Sequence, residues 1–364
     1  MTETLSRHSV LSERHRALGS GLEDWNGMGT AWSYATSPDD EHDAVRERAG
    51  MFDMSPLKKV FVRGAHAAAV LDHLTTRDMR RIAPGASAYL SVLTDAGTIA
   101  DDAIVSNNGG DEWMIVHGSG DTMALLQASA SGREVAVEFT DDLHDISVQG
   151  PRALAVLNAA CSVDLAPIAY FRHVAAQLFG HPCRISRTGY SGERGYEIFV
   201  ASRHAGDIWD ALADAGVIPC SFGALDKLRI EAGLLFYGYD MSQANTPWEV
   251  GLGFTINQNK TDFRGSAAVR AARGSEKVRN VGLDVAHTEA APAGARLTLD
   301  GRAVGTVNSP CYSRRLGRSL ALGHVDAGIP VGTVLTLETQ HLQTTATVIA
   351  MPVHDPAKSR THAP

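Results

Sequence analysis

Apolar and polar positions alternate with a strand-like period of two in several short runs, each bounded by Gly, Pro, Asp or Asn. Residues 89–93 and 103–105 flank the turn Thr94-Asp-Ala-Gly97, the short glycine-containing connection of a hairpin. Residues 184–200 show similar grammar around a second Gly-rich turn. The run Val62-Arg-Gly-Ala-His-Ala-Ala-Ala-Val-Leu71 matches Val148-Gln-Gly-Pro-Arg-Ala-Leu-Ala-Val-Leu157 at Val, Gly, Ala, Val and Leu, at a constant offset of 86 positions. Both halves read as strand, glycine turn and helix, and Pro151 suits a first helical turn. Helical spacing follows each hairpin, over residues 121–131 and 203–215. The repeated unit is therefore strand, helix, two strands, helix, with a closing strand. That order predicts an α+β fold of two duplicated modules with antiparallel sheets around a central cleft.

From residue 277 the pattern shortens to six strands, at 280–285, 296–299, 302–308, 319–325, 334–338 and 344–348, as in a small antiparallel barrel. The predicted organisation is an N-terminal helix and loop segment over residues 1–54 lining the cleft, modules over 55–141 and 142–272, the barrel over 277–352, and a disordered or loosely docked tail over 353–364. Residues 1–20 read as a helical or frayed tail, 21–40 as loop, 41–49 as helix, and 224–235 as helix.

A chain of 364 residues suggests two or three domains, and 44% hydrophobic with 20% charged residues is a soluble globular composition. The formal net charge of −8 argues against a nucleic-acid partner. No apolar run reaches the roughly 20 residues needed to cross a bilayer, and residues 1–16 lack the apolar core of a secretory signal. The cysteines, Cys161, Cys183, Cys220 and Cys311, form no C-x-x-C pair and read as reduced thiols of a cytoplasmic protein. The histidines are scattered, so no metal is expected.

Candidate chemistry centres on Asp101 and Asp102, at the start of the second hairpin strand and close to Tyr89. Successive strand side chains face opposite ways, so one carboxylate of the pair must face inward unless the strand is bulged. In the 21–40 loop, Trp32 and Tyr34 read as core plugs ahead of ligand contacts. Arg229 reads as exposed or as an inward anion ligand, with exposure slightly favoured.

The motifs Met51-Phe-Asp-Met-Ser55, Val148-Gln-Gly-Pro151, Thr188-Gly-Tyr-Ser-Gly-Glu193, Gly195-Tyr-Glu-Ile198, Leu228-Arg-Ile-Glu-Ala-Gly233 and Asp262-Phe-Arg-Gly265 occur in one order across nearly the whole chain. In this the sequence resembles the glycine-cleavage T-protein family of tetrahydrofolate-dependent one-carbon transferases. The resemblance implies tetrahydrofolate as the one-carbon acceptor, Asp101 as the catalytic aspartate, and folate contacts from Tyr89, Phe171, Tyr190, Glu197 and Arg229. Such a ligand asks for aromatic walls, a carboxylate for the pterin's N–H groups and donors for its anionic tail.

The sequence also departs from that family. Phe52-Asp-Met-Ser-Pro-Leu57 stands for F-D-V-S-H-M, Leu225 replaces the first arginine of R-D-x-L-R, and His117 lies where asparagine is frequent. Losing a cation and an amide suits a relative that moves a methyl group from a small O-, N- or S-methyl donor to N5. Trp32, Tyr34 and Trp248 are candidate walls for that donor, and His117, Tyr237 and Tyr239 candidate proton donors to its leaving group. The alternatives are an aminomethyltransferase served by a lipoyl carrier protein, forming 5,10-methylenetetrahydrofolate and ammonia, and a noncatalytic folate-binding assembly factor for iron–sulfur proteins. Leu234-Leu-Phe-Tyr-Gly-Tyr-Asp-Met241 lacks the cysteine of that last branch.

Overall fold

The computed structural model describes residues 5–363, so residues 1–4 of the expected N-terminal tail and Pro364 lie outside the described residues. A five-stranded sheet forms first, with Lys58–Arg63 between Glu112–His117 and Ala136–Thr140, and the hairpin Ala86–Leu93 and Ile99–Gly109 at its other side. One face buries Val60, Leu90, Val105 and Ile115 under the helices Ala67–Leu74 and Thr122–Ala130. A six-stranded sheet follows, in which Leu143–Gln149 and Gly195–Ala201 are central. Its outer face buries Ile146, Tyr196 and Ile198 under Ala153–Ala160 and Ser202–Asp214. The inner faces of the two sheets meet through Met114, Val116 and Phe199, and Ala86 bridges to Arg172 at their edges.

The duplication is visible in the backbone. Helices Ala67–Leu74 and Ala153–Ala160 begin and end at the same offset as the sequence match. Gly64 and Gly150, three residues before them, have φ of 122° and 125°. A Cβ on Gly150 would lie 2.5 Å from the Val45 carbonyl oxygen, so that turn excludes any side chain. Each module has three strands between its helices rather than the expected two. The unexpected ones are Glu112–His117, apolar and buried on both faces from Trp113 to Val116, and His173–Leu178, with small or polar residues at Ala175, Ala176 and Gln177; neither carries a clean period-two signal.

Other expectations need correction. Residues 21–40 are not all loop: Glu23–Trp25 pairs with Met28–Thr30, and a helix starts at Pro38 with the Ser37 side chain accepting from the Asp39 N–H. The helix expected over 224–235 runs from Phe222 to Glu231 and stops before Gly233, at φ 66°. Among the described residues, 5–20 hold one short helix, Ser12–Ala17, after an Arg7–Met28 bridge. Gly50–Asp53, inside the N-terminal segment, is a strand of the second sheet, and Ile218–Pro219 closes that sheet with a short parallel pair. The six C-terminal strands, Val278–Val285 to Gln343–Ile349, close into a barrel.

The described tail is docked, not loose. Arg360 Nε and His354 Nε2 reach the buried Glu193 carboxylate at 2.7 and 2.8 Å, and Arg360 also donates to the Arg46 carbonyl at 2.7 Å. A buried carboxylate needs such partners, and the sequence contains no local sign of that need. Arg46 itself is fully buried between Glu231, at 2.7 Å, and Glu193, at 3.0 Å. His42 and Ser313 complete the shell of Glu231 at 2.9 and 2.6 Å.

Candidate functional site

Within the first hairpin, Val92 faces Asp101 and a bulge follows between Val92 and Leu93. Asp101 and Asp102 therefore diverge. Asp101 lies on the helix side of the sheet with no exposed surface. Its Oδ2 accepts from the Thr122 hydroxyl at 2.7 Å and from His117 Nδ1 at 3.0 Å, and its Oδ1 accepts from the Asp102 N–H at 2.9 Å. An ionised carboxylate only accepts, so His117 carries its proton on Nδ1. The buried Nε2 has no protein partner. Gly120 closes over the pair, since a Cβ there would lie 2.5 Å from Asp101 Cγ.

Asp102 shares the other face with Ser106 and Tyr89, and Ser106 reaches His173 of the second sheet through Ser87. The Tyr89 hydroxyl donates to Asp102 Oδ2 at 2.9 Å. Burial, and then the neighbouring Asp101 charge, push the Asp102 carboxyl up to about 7. Burial and the charges of Asp102 and Tyr190 hold the Tyr89 hydroxyl well above its ordinary range. Tyr89 also stacks on the exposed Phe254, with centroids 6.3 Å apart.

On the second sheet, Glu197 shares the inner face with Phe199. One of its oxygens accepts from the Thr188 hydroxyl. Burial raises its carboxyl against that bond and the Arg184 charge. Asp145, beside it, is also raised by burial and by Glu197, and neither of its buried oxygens has a hydrogen-bond partner. Lys59, also inside, is brought down to about 8 by burial, with Asp145 pulling the other way. Phe171 has φ 61° and packs edge-on against Tyr170 at 4.6 Å. Burial and the Glu197 charge push the Tyr170 hydroxyl up to about 12.

Tyr190 donates to the Leu235 carbonyl and, with Trp32, Phe222, Leu225, Asp226, Arg229 and Phe236, lines a small recess. Arg229 is buried, not exposed, because the turn after its helix brings Asp240 onto it. It also binds Asp226 at 2.8 Å and Ser309 at 2.7 Å. Tyr239 is 57% exposed and packs against Phe236 at 5.1 Å. The Tyr237 hydroxyl is pushed up by burial and by Asp101. Tyr34 is not in the recess: it is buried on His15 at 2.8 Å, within the His15–Asp53 pair. The Trp248 indole N–H donates to the Val269 carbonyl at 2.6 Å, under Arg273.

Asp102, Tyr89 and Glu197 thus face the space between the sheets, whereas Asp101 and His117 sit behind the first sheet. Neither the recess nor a separate groove lined by Arg77, Asp78, Arg81 and Asn257 is lined by Asp101 or Glu197. Sequence reasoning singled out the Asp101–Asp102 pair but assigned no separate role to Asp102, Asp145, Phe236 or Phe254. The register that pairs Ser91 with Asp102, one step from Tyr89, is the signal for the first of these. Folding also gathers His181, His204 and Asp207 on the outer side of the second module, with ligand atoms within 4.8 Å. There, Arg203 Nε already points at His204 Nε2, at 3.2 Å.

The side chains on these facing surfaces have the chemistry to hold a flat, donor-rich heterocycle. Tyr89, Tyr170 and Phe171 supply aromatic surface, Glu197 has an oxygen outside its Thr188 bond, and Asp145 has two orphaned acceptors. Buried acceptors in that state ask for N–H donors from a ligand.

Comparison with known proteins gives matches over most of the chain. Residues 11–260 match the family model described as the GCVT N-terminal domain, and 279–355 match the glycine cleavage T-protein C-terminal barrel domain. The chain is 45% identical to the heme-dependent oxidative N-demethylase gamma subunit of Ectopseudomonas mendocina, over 97% of both chains. It is 35% identical to an aminomethyltransferase of Streptomyces coelicolor, over 90% of this chain and 91% of the other. The solved glycine cleavage system aminomethyltransferase T from Bartonella henselae superposes with a TM-score of 0.89 at 27% identity, covering 95% of this chain and 98% of that one.

Proposed function

The chain belongs to the glycine cleavage T-protein family, and from that premise we propose that it passes a one-carbon unit from an N-methyl amine to tetrahydrofolate, beside a partner that oxidises the amine. It is an enzyme of the folate-dependent transferases. The observation that carries the finer reading is the end-to-end likeness to an N-demethylase gamma subunit. Oxidative N-demethylation takes two electrons from the N–CH₃ group and releases its carbon at the level of formaldehyde. Formaldehyde and tetrahydrofolate then give 5,10-methylenetetrahydrofolate and water.

Tetrahydrofolate supplies the two nitrogen nucleophiles, and the protein supplies binding and proton control. Glu197 and Asp145 take the pterin's N–H donors, and Tyr89, Tyr170 and Phe171 pack its faces. Asp102, protonated near neutral pH, gives a proton to the departing oxygen or amine. Asp101 places fixed negative charge behind the reacting carbon, where positive charge grows, and sets the His117 tautomer. Among the described residues no helix is long and apolar enough to cross a membrane.

Direct methyl transfer to N5 and lipoyl-borne aminomethyl transfer differ in product and donor. The purified chain, given tetrahydrofolate and ¹³C-formaldehyde, is expected to form the 5,10-methylene product faster than the uncatalysed condensation. Formation of 5-methyltetrahydrofolate from an N-methyl amine without an oxidant would replace this reading by direct transfer, and activity only with an aminomethylated lipoyl protein would replace it by the glycine-cleavage reaction. The TM-score of 0.89 favours that last reaction as the second reading.

Two further outcomes follow from named groups. Glu197→Gln leaves a pterin donor imperfectly paired, so the Kd for tetrahydrofolate is expected to rise about five- to 150-fold, equivalent to about 1–3 kcal/mol, as read by calorimetry. Turnover is expected to decline as pH rises through about 7, as Asp102 loses its proton. Asp102→Asn should remove that limb of the pH profile, and a limb that persists in the variant assigns it to another group.

A further inference from the structure

His181, His204 and Asp207 come together where strand His181–Ser186 begins beside the first turns of helix Ser202–Asp214. His204 and Asp207 are three residues apart on that helix and so share one face. His181 is fixed from the other side by its pairing with Leu178 across a tight turn, with Gly180 at φ 81°. The two imidazole centroids are 4.7 Å apart, and His181 Nε2 is 3.6 Å from Asp207 Oδ2. All three side chains keep contact with solvent. The backbones beneath them are anchored, since Ala205, Ile208 and Leu212 of the helix and Ile185 of the strand lie in one core.

The protein makes little other use of these atoms. Among the described residues, neither ring nitrogen of His181 makes a hydrogen bond, and the ion pair of Asp207 is with His181. Arg203 Nε donates to His204 Nε2 at 3.2 Å, so that nitrogen presents its lone pair, the form a metal ion needs. Arg203 is exposed and free to turn away. Arg14, the other cation near Asp207, is already bound to Asp210 at 2.6 Å. Tetrahedral zinc with ligands at about 2.0–2.1 Å sets them about 3.3 Å apart. The widest separation, 4.8 Å, must therefore shrink by about 1.5 Å, which side-chain rotation supplies without moving the backbone. Two imidazoles and one carboxylate select a divalent transition ion over magnesium or calcium, which take oxygen ligands. We propose that His181, His204 and Asp207 bind a zinc ion, with water in the remaining position, and that the ion clips the hairpin of the second module to its helix. This site is independent of the folate reading.

Zinc chloride is titrated calorimetrically into the full chain, carrying no histidine tag and stripped with EDTA. One ion per chain is expected to bind, and the unfolding midpoint should rise with zinc concentration, because the unfolded chain separates the ligands. His181→Ala and His204→Ala should each weaken zinc binding at least tenfold while leaving the zinc-free midpoint little changed. With Cu²⁺ as the probe, electron paramagnetic resonance should show coupling to two imidazole nitrogens in the parent and to one in either variant. Arg203→Ala should tighten binding by removing the competing donor, and weaker binding there overturns the assignment of His204 Nε2 as a ligand. A parent that binds no zinc overturns the site, as does an affinity that survives both histidine variants.

Discussion

Replacing Asp101 with asparagine is expected to lower turnover about a hundredfold to a thousandfold, the range seen when a fixed electrostatic partner of a reacting centre is removed, while the fold persists. The side chain keeps its shape, but its surroundings admit only a carboxylate without rearrangement. Thr122 and His117 both donate to Oδ2, and the Asp102 N–H donates to Oδ1. An amide nitrogen placed at Oδ2 opposes both donors and forces His117 to move its proton to Nε2. Placed at Oδ1, it faces a backbone N–H. Either orientation removes the charge, and the first also inverts the histidine. Tetrahydrofolate affinity should change little, because Asp101 lies behind the sheet rather than on the face shared by Asp102 and Tyr89. Turnover within twofold of the parent would take Asp101 and His117 out of the chemistry together.

Arg46→Met is expected to destabilise the protein by about 3–5 kcal/mol, because it strands the buried Glu231 without its arginine, whereas Glu193 keeps Arg360. Glu231 and Glu193 each face Arg46 within 3.0 Å, and neither can reach water without moving a helix or the tail. Urea unfolding followed by circular dichroism measures the loss, and an unchanged midpoint would show that the pair is not needed. The network also sets a pH limit. Burial raises the Glu231 carboxyl, but the His42 bond and the Arg46 charge outweigh it and hold it at about 2. A carboxyl lowered by folding stabilises above its unfolded value, and that stability is lost as pH falls towards 2. The parent should therefore weaken steeply below about pH 4, and Arg46→Met less steeply.

The strands and helices that obey their periods were legible in the sequence. So was the duplication, down to helix bounds that repeat with the matched glycines. Residue types alone placed the hairpin but not its bulge, and the bulge decides which aspartate faces the other sheet. Buried Arg229 was misjudged because its main partner, Asp240, comes from the loop beyond its helix. Tyr34 and Trp248 illustrate the opposite case, in which a large aromatic satisfies the core through its polar tip. The docked tail had no local signal, since Arg360 is explained only by Glu193, far back in the chain.

The strand Gly50–Asp53 sits beside Leu143–Gln149, not beside its neighbours in the first module. During synthesis this segment must wait for the whole first unit to emerge before its partner exists. A fragment excised at the second repeat would start without a sheet neighbour and expose the backbone of Leu143–Gln149 as a sticky edge. Swapping modules between relatives thus requires the early strand to travel with the later unit.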